Sequence, residues 1–185
     1  MKKLALSFAL LSAGTTSAWA VEYNQLQPDK SSVDFTYEQM GVSMDGHFKK
    51  IQGEVSFDPA KPERAKAVLD VDLTGIDTGS PENDEEVTGK SWFNTASFPQ
   101  AHFELTKLTP KGGNNYEAAG KLSIKGVSKD IVAPATFAEQ GNTGVFEGTF
   151  VLKRGDYAIG EGEWSSFDVV ANDIKIKVRI AASAK

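Results

Sequence analysis

Apolar and polar residues alternate along most of the chain with a period of two, which is typical of β-strands that bury one face. The alternation is clearest in 174–180, where isoleucine and valine alternate with lysine and arginine. Equivalent stretches lie at 33–38, 69–73, 103–106, 122–125 and 146–152, and further strands are expected at 43–48, 51–57 and 131–137. The pattern predicts about nine strands, each with one apolar face.

Turn residues separate these strands. Asn142 lies between Gly141 and the pair Thr143-Gly144, a composition typical of a tight β-hairpin. We therefore expect the strands before and after Asn142 to pair antiparallel.

The sequence predicts one short helix. Ser80 can cap its N-terminus, Pro81 suits its first position, and the acidic residues within 82–86 suit the positive end of the helix dipole. Gly89 is placed to end it.

Short antiparallel strands with one apolar face either stack as two sheets or close into a barrel. Closure removes exposed strand edges, and a barrel of about eight strands can hold one slender ligand. Gly148, Ala118 and Gly120 lie on strands of this kind, and small residues facing inward would leave a channel. The pattern alone does not decide between an open barrel and a filled sandwich.

The first twenty residues follow the order of a secretory signal peptide. A positively charged start precedes a largely apolar run at 4–11, and Ala-Trp-Ala at 18–20 fits a cleavage site. The run is far shorter than the roughly 20 residues that span a bilayer. We expect a signal peptide at 1–20 and a periplasmic domain at 21–185.

Composition narrows the choice of partners. The chain has no cysteine, which excludes disulfides and thiol chemistry. Without residues 1–20, 18 basic and 25 acidic residues remain, a formal net charge of −7. This charge argues against nucleic acid or an anionic membrane surface as the main partner.

Candidate catalytic groups are few. The two histidines, His47 and His102, lack the spacing of metal ligands, and the sequence contains no nucleophile elbow or dinucleotide fingerprint. Asp70 and Asp72 share one strand face that should meet solvent, and His102 should point outward beside Phe103. We expect a binding protein and not an enzyme, with no metal or cofactor.

Several ordered segments are more specific than the strand pattern. They are 29–35 (DKSSVDF), 46–53 (GHFKKIQG), 55–59 (VSFDP), 76–79 (IDTG), 92–95 (WFNT), 98–103 (FPQAHF), 120–127 (GKLSIKGV) and 153–157 (KRGDY). Together they resemble the YceI family of periplasmic polyisoprenoid-binding proteins over about Tyr23 to Ile180. The segment 157–164 resembles members found beside, or fused to, a b561-type membrane cytochrome.

The resemblance implies a lipocalin-like antiparallel barrel with a long tunnel. Family members hold an isoprenoid chain there, as in a polyprenyl phosphate or ubiquinone, or a fatty amide. Many members carry His-Ser where this chain has Lys30-Ser31, and Arg-Asp-x-His-Leu where it has 83–87 (NDEEV). Because carboxylates repel a pyrophosphate, the acidic helix favours a neutral head group such as a quinone.

The candidate ligand-binding residues fall into four groups. The tunnel-wall candidates are Phe35, Tyr37, Leu69, Val71, Phe103, Leu122, Phe146 and Phe150. The remaining candidates are Met40 and Met44 at an entrance, Trp92 and Phe93 at one barrel end, and Arg154 with Tyr157 as a polar cluster. For each group ordinary packing is an alternative, and Arg154 could pair with Asp156 or a helix carboxylate instead of a quinone carbonyl.

The leading hypothesis is a periplasmic carrier for an isoprenoid lipid. The alternatives are a fatty acid or amide binder and a filled barrel that serves a membrane redox partner through an exposed patch at Trp92, Phe93 and Trp164. An enzyme acting on a small apolar molecule is a third alternative. The sequence leaves open a physical b561-type cytochrome partner and a homodimer.

Overall fold

In the computed structural model, which describes residues 21–184, eleven strands form one curled antiparallel sheet. The predicted signal peptide lies outside the described residues. The strands are β1 (Tyr23–Leu26), β2 (Ser32–Gln39), β3 (Val42–Phe48), β4 (Ile51–Ser56), β5 (Lys66–Asp72), β6 (Ile76–Asp77), β7 (Gln100–Gly112), β8 (Asn115–Ile124), β9 (Val127–Gln140), β10 (Thr143–Lys153) and β11 (Asp173–Ala184). The helix α1 spans Pro81–Thr88.

The sheet curls until its edges meet. Hydrogen-bonded neighbours follow the order β4, β5, β7, β8, β9, β10, β11, β2, β3, β6, and β1 pairs with the C-terminal end of β11. Tyr23 in β1 and Phe57, just after β4, exchange both backbone hydrogen bonds, with N···O distances of 2.9 and 3.0 Å. A ring of β4, β5, β7 to β11 and β1 is therefore closed at this end.

The predicted antiparallel barrel with one short helix is confirmed, and two strands were missed. The structure has eleven strands where the pattern predicted about nine. β1 and β6 have four and two residues, too few for alternation to stand out. The hairpin at Asn142 is confirmed, because β9 and β10 pair antiparallel on either side of it.

The helix begins and ends where the sequence predicts. The Ser80 hydroxyl accepts a hydrogen bond from the Asn83 backbone N–H, Pro81 is the first helical residue and Gly89 is the C-cap. Asp84 fixes α1 to the barrel, because its Oδ1 accepts hydrogen bonds from the Thr78 N–H and hydroxyl, both at 2.7 Å. No helix within residues 21–184 combines the length and apolar character that crossing a bilayer requires.

Candidate functional site

A cavity of about 340 Å³ lies inside the curled sheet. This volume falls in the range of roughly 300–1,000 Å³ that is usual for small-molecule sites. Its wall consists largely of apolar side chains on the inner faces of β2, β5, β7, β8, β10 and β11, with α1 and the Trp92-Phe93 pair at one end.

Most of the predicted ligand-binding residues lie on this wall. They are Phe35, Tyr37, Leu69, Val71, Trp92, Phe93, Phe103, Leu122, Phe146, Phe150 and Arg154. Period-two alternation places the strand residues among them there, because every second residue of a strand faces the same side; Trp92, Phe93 and Arg154 lie outside the strands. Their contact with a ligand stays a prediction.

The exceptions are Met40, Met44 and Tyr157, which do not line the cavity. Met40 is 71% exposed in the β2–β3 turn, where it has a positive φ. Met44 pairs with Tyr37 across β2 and β3 but lies outside the cavity wall. Tyr157 is buried in the core beside Ile159, and this burial raises the pKa of its hydroxyl.

Five aromatic side chains fill the barrel where β1 closes the ring. We call this cluster the aromatic end, and its members are Tyr23, Phe57, Tyr116, Phe137 and Phe146. Their ring centroids lie 4.7 to 5.9 Å apart, and most pairs meet edge to face, the arrangement that aromatic quadrupoles prefer.

The small residues of the strands have two different roles. Ala118 and Gly148 line the cavity, as expected of residues that leave a channel. Gly120 does not: a Cβ there would lie 2.4 Å from the Phe103 ring, so the ring occupies the space. The same relation holds between Gly46 and the Phe35 ring, at 2.3 Å. A glycine on an inner face of this barrel can therefore indicate ring packing as well as open space.

Arg154 is the most buried charged residue described, at 1% exposure. Its guanidinium donates seven hydrogen bonds of 2.8 to 3.3 Å, all to backbone carbonyl oxygens. The acceptors are Ile159, Gly160, Trp164, Ser166, Val170 and Ala171. The side chain thus holds the loop between β10 and β11, which we call the Arg154 loop (154–172).

The predicted pairing of Arg154 with Asp156 or with a helix carboxylate is wrong. No carboxylate in residues 21–184 forms a salt bridge with it. The Cζ atom of Arg154 instead lies 5.3 Å from the centroid of the Trp92 ring and 4.8 Å from the centroid of the Phe167 ring. Burial lowers the pKa of the guanidinium, but carbonyl dipoles and aromatic faces compensate the retained charge.

Two indole N–H groups beside Arg154 have no acceptor. The Nε1 atoms of Trp92 and Trp164 are buried and lack a hydrogen-bond partner among the described residues. The two rings pack at 5.5 Å between centroids, and both residues line the cavity. A buried unpaired donor is costly unless something bonds it. Both unpaired donors therefore lie at this end of the cavity, although their Nε1 atoms have almost no accessible surface in this conformation.

The rim near α1 is polar. Gln39, Thr78, Asn83 and Glu86 line the cavity there. Burial raises the pKa of the neighbouring Tyr37 hydroxyl; the hydrogen bond with Asn83 lowers it, and the Asp84 charge raises it.

Neither histidine lines the cavity. No group of three or more potential ligands for a metal ion occurs within the residues described. His102 Nδ1 lies 2.7 Å from Asp70 Oδ1 on the outer face, with nearly half of the His102 side chain exposed, which confirms its outward orientation.

A sequence model of the YceI-like domain matches residues 24–182. The chain belongs to the YceI-like family. A UPF0312 protein of Pseudomonas savastanoi pv. phaseolicola is 34% identical over 164 residues, which cover 84% of each chain.

Solved structures agree with this assignment. Burkholderia cenocepacia BcnA superposes with a TM-score of 0.83 at 36% identity, over 86% of this chain and all of that one. A protein from Saccharophagus degradans described as a polyisoprenoid binding domain has a TM-score of 0.69 at 15% identity, over 90% of this chain and 99% of its own. At 15% identity, the second match supports the similarity of fold alone.

The sequence analysis missed part of the cavity wall. Ile131 and Ala133 on β9, and Val170 in the Arg154 loop, line the cavity. Ile131 and Ala133 alternate with exposed residues, so the pattern could have indicated them. Val170 lies in an irregular segment with no periodic signal, and its position depends on the bonds from Arg154 and on an isolated backbone bridge to Gln39.

Proposed function

We propose that this YceI-like protein is a periplasmic carrier or reservoir that holds the tail of an isoprenoid lipid in its cavity. The observation that carries the proposal is the cavity itself, which extends from Phe146 at the aromatic end to Trp164 in the Arg154 loop. A slender apolar chain fits such a space, and the described polyisoprenoid binding domain with the same fold supports this ligand class.

Burial of the tail supplies the affinity. At about 0.8 kcal/mol per buried CH₂, the carbons of one isoprene unit contribute roughly 4 kcal/mol before the ordering cost is subtracted. A net hydrogen bond contributes about 1 kcal/mol. The tail therefore sets how tightly the lipid binds, and head-group contacts set which lipid is preferred.

The head group that suits this site is a neutral acceptor such as a quinone. The unpaired indole N–H groups of Trp92 and Trp164 can donate to a carbonyl oxygen once a small shift of the rings exposes them, and the nearby Arg154 charge favours the partial negative charge of that oxygen. The acidic residues of α1, at the same end of the cavity, disfavour a pyrophosphate. Ubiquinone is thus proposed ahead of a polyprenyl phosphate.

A Trp164→Phe variant tests the head-group assignment. The smaller phenyl ring keeps an aromatic side chain and removes the indole N–H, so the affinity for a prenylated quinone should fall about two- to tenfold. A hydrocarbon with the same tail serves as control and should bind equally to both proteins. Equal loss for quinone and hydrocarbon would show that the indole acts by packing alone.

Native mass spectrometry on protein taken from the periplasm without detergent tests the carrier function. We expect an added mass that organic extraction identifies as a prenylated quinone. A fatty acid or amide would correct the ligand class, and an apo mass that persists after incubation with quinone-containing membranes would overturn the carrier proposal. The same spectrum tests export, because the chain should begin at Val21.

A matched pair of variants locates the ligand. Ala118 lines the cavity, whereas its neighbour Ala119 does not. Ala118→Trp should therefore abolish lipid retention, and Ala119→Trp should leave it unchanged. Loss in both variants would indicate a fold defect, and retention in both would place the lipid elsewhere.

The exposed patch that the filled-barrel alternative requires is not observed. Its exposed patch required Trp92, Phe93 and Trp164, but Trp92 is buried and the other two are half-buried. A b561-type cytochrome partner and a homodimer stay predictions that a lipid-independent pull-down and a solution mass would test.

A further inference from the structure

The wall of the barrel is interrupted between β9 and β10. Their ladder runs from the hairpin to the pair Gly148–Ala135, where the described pairing ends. β9 continues back to Val127 with β8 as its partner, and β10 continues to Lys153 with β11 as its partner. The two strands therefore diverge along 127–134 and 149–153.

The residues at the point of divergence account for the break. Pro134 has no backbone N–H and cannot donate to a ladder. A Cβ on Gly148 would lie 3.0 Å from the Pro134 carbonyl oxygen, so the strands are still close there. Beyond this point each strand follows its other neighbour.

The opening is bounded at its far side. Lys125, in the turn between β8 and β9, donates hydrogen bonds to the Ala158 carbonyl oxygen at 2.6 Å and to Glu161 Oε2 at 2.7 Å. Its side chain is only 8% exposed. This contact fastens the Arg154 loop to the β8–β9 turn. We call the opening between it and the Gly148–Ala135 pair the side window.

The cavity reaches this window. Ile131 and Ala133 line it from β9, and Phe150 and Leu152 from β10. The outward-facing Pro134 and Glu147 also line it, although both are exposed. The cavity is thus continuous with the outer surface where the ladder ends.

The outer edges of the window carry two exposed valines. Val132 on β9 is 62% exposed, and Val151 on β10 is 57% exposed. If the register of the Gly148–Ala135 pair continued, these two residues would lie directly opposite each other. They are two halves of a cross-strand pair that the divergence separates.

We propose that the ligand tail enters and leaves the cavity sideways through the window between β9 and β10. The inference rests on the proposed function for the identity of the tail, but not for the route. At the aromatic end, packed rings would have to move to let a tail pass. At the other end the cavity also reaches the exposed Glu86, but α1 is held by Asp84 and the Arg154 loop by its carbonyl bonds, so passage there would break hydrogen-bonded structure. The window needs only a small separation of strands that are already unpaired.

A cross-link across the window tests the route. Because the chain lacks cysteine, Val132→Cys with Val151→Cys gives the only thiols, which can be joined by oxidation or by a bismaleimide. The control is Gln140→Cys with Thr143→Cys, a pair already opposed beside the hairpin. The apolar dye N-phenyl-1-naphthylamine is the probe, so the test does not require an isoprenoid ligand.

Joining the window should slow dye uptake and release by at least about tenfold in stopped-flow fluorescence, and the equilibrium affinity should change little. Reduction of the disulfide should restore the rates, and the joined control pair should exchange at the wild-type rate. Unchanged rates in the joined window variant would overturn the proposal.

A second variant covers the case in which the thiols do not join. Val132→Trp places a large side chain at the outer edge of the window and should also slow exchange, whereas Thr136→Trp, in the paired part of β9, should not. Equal rates in the two variants would overturn the route. Dye binding without isoprenoid binding would refute the proposed function and leave the window test valid.

Discussion

The two ends of the barrel are closed by different physical means. At the aromatic end, rings pack around Phe57, and the backbone bonds between Tyr23 and Phe57 complete the ring of strands. At the other end, one buried guanidinium bonds six carbonyls of a loop, and α1 is fixed through Asp84. Ring packing leaves few polar groups, whereas the hydrogen-bonded end retains unpaired N–H donors. Recognition of a head group is therefore expected at the Arg154 end.

The largest effect should come from Arg154→Met, which removes the donors of the hydrogen-bonded end. At about 1 kcal/mol for each carbonyl left without its partner, the free energy of unfolding should fall by about 4–6 kcal/mol. Urea denaturation measures this change, and hydrogen exchange should show the greatest loss of protection in 158–170.

Arg154→Lys and Arg179→Met are the controls for that prediction. Lys keeps the charge but has fewer donors, so it should recover only part of the stability. Arg179 is partly exposed and pairs with Glu147 on the surface, so its loss should matter little. Equal stability of Arg154→Lys and wild type would mean that charge, and not the number of carbonyl bonds, holds the loop.

Phe57→Ala should have the next largest effect and should act on the aromatic end. Phe57 is 4% exposed and contacts the rings of Tyr116, Phe137 and Phe146. Loss of this side chain should lower the free energy of unfolding by about 3–4 kcal/mol. Hydrogen exchange should increase around Tyr23 and leave the Arg154 loop protected; increased exchange in both regions would show that the two ends are not independent.

The difference between the ends also explains what the sequence could predict. Strand faces such as Phe103 and Leu122 follow from alternation, and α1 follows from Ser80, Pro81 and Gly89, because these signals are local. The role of Arg154 depends on carbonyls up to 17 residues away in an irregular loop, which no periodic pattern reports. The divergence of β9 from β10 is likewise non-local; Pro134 is a local feature at that point, but strand alternation does not report it.

Lys125→Met tests the contact that fastens the Arg154 loop to the β8–β9 turn. The substitution keeps most of the apolar stem and removes the bonds to Ala158 and Glu161, so the free energy of unfolding should fall by about 1–2 kcal/mol. Because the contact bounds the side window, dye exchange should also become faster. Lys121→Met, on β8, removes an exposed pairing with Asp130 on β9 and is the matched control. Equal effects of the two substitutions would mean that the buried contact has no special role.

The smallest expected effect is a loss of folding stability in acid, which arises from the carboxylate of Asp77 on the α1 side of the barrel. The Gly79 N–H donates to Asp77 Oδ1 at 3.0 Å, and Lys49 Nζ lies 3.3 Å from Oδ2; the backbone bond first and the lysine second lower the pKa of this carboxyl. Because the folded-state pKa lies below the ordinary value of 3.8, the contribution to stability is present above that pH and is lost as the pH falls through the folded-state pKa.

Asp77→Asn keeps an acceptor for Gly79 and removes the charge that pairs with Lys49. The variant should therefore unfold at a slightly lower urea concentration than wild type at neutral pH, and the difference should shrink once the pH lies below the folded-state pKa of Asp77. Phe57→Ala is the control. Its loss of stability arises from ring packing and involves no titrating group, so this loss should persist as the pH falls. A deficit of Asp77→Asn that stays constant through the acid range would show that the carboxylate acts by hydrogen-bond geometry and not by charge. The α1 side would then resemble the aromatic end in being insensitive to acid.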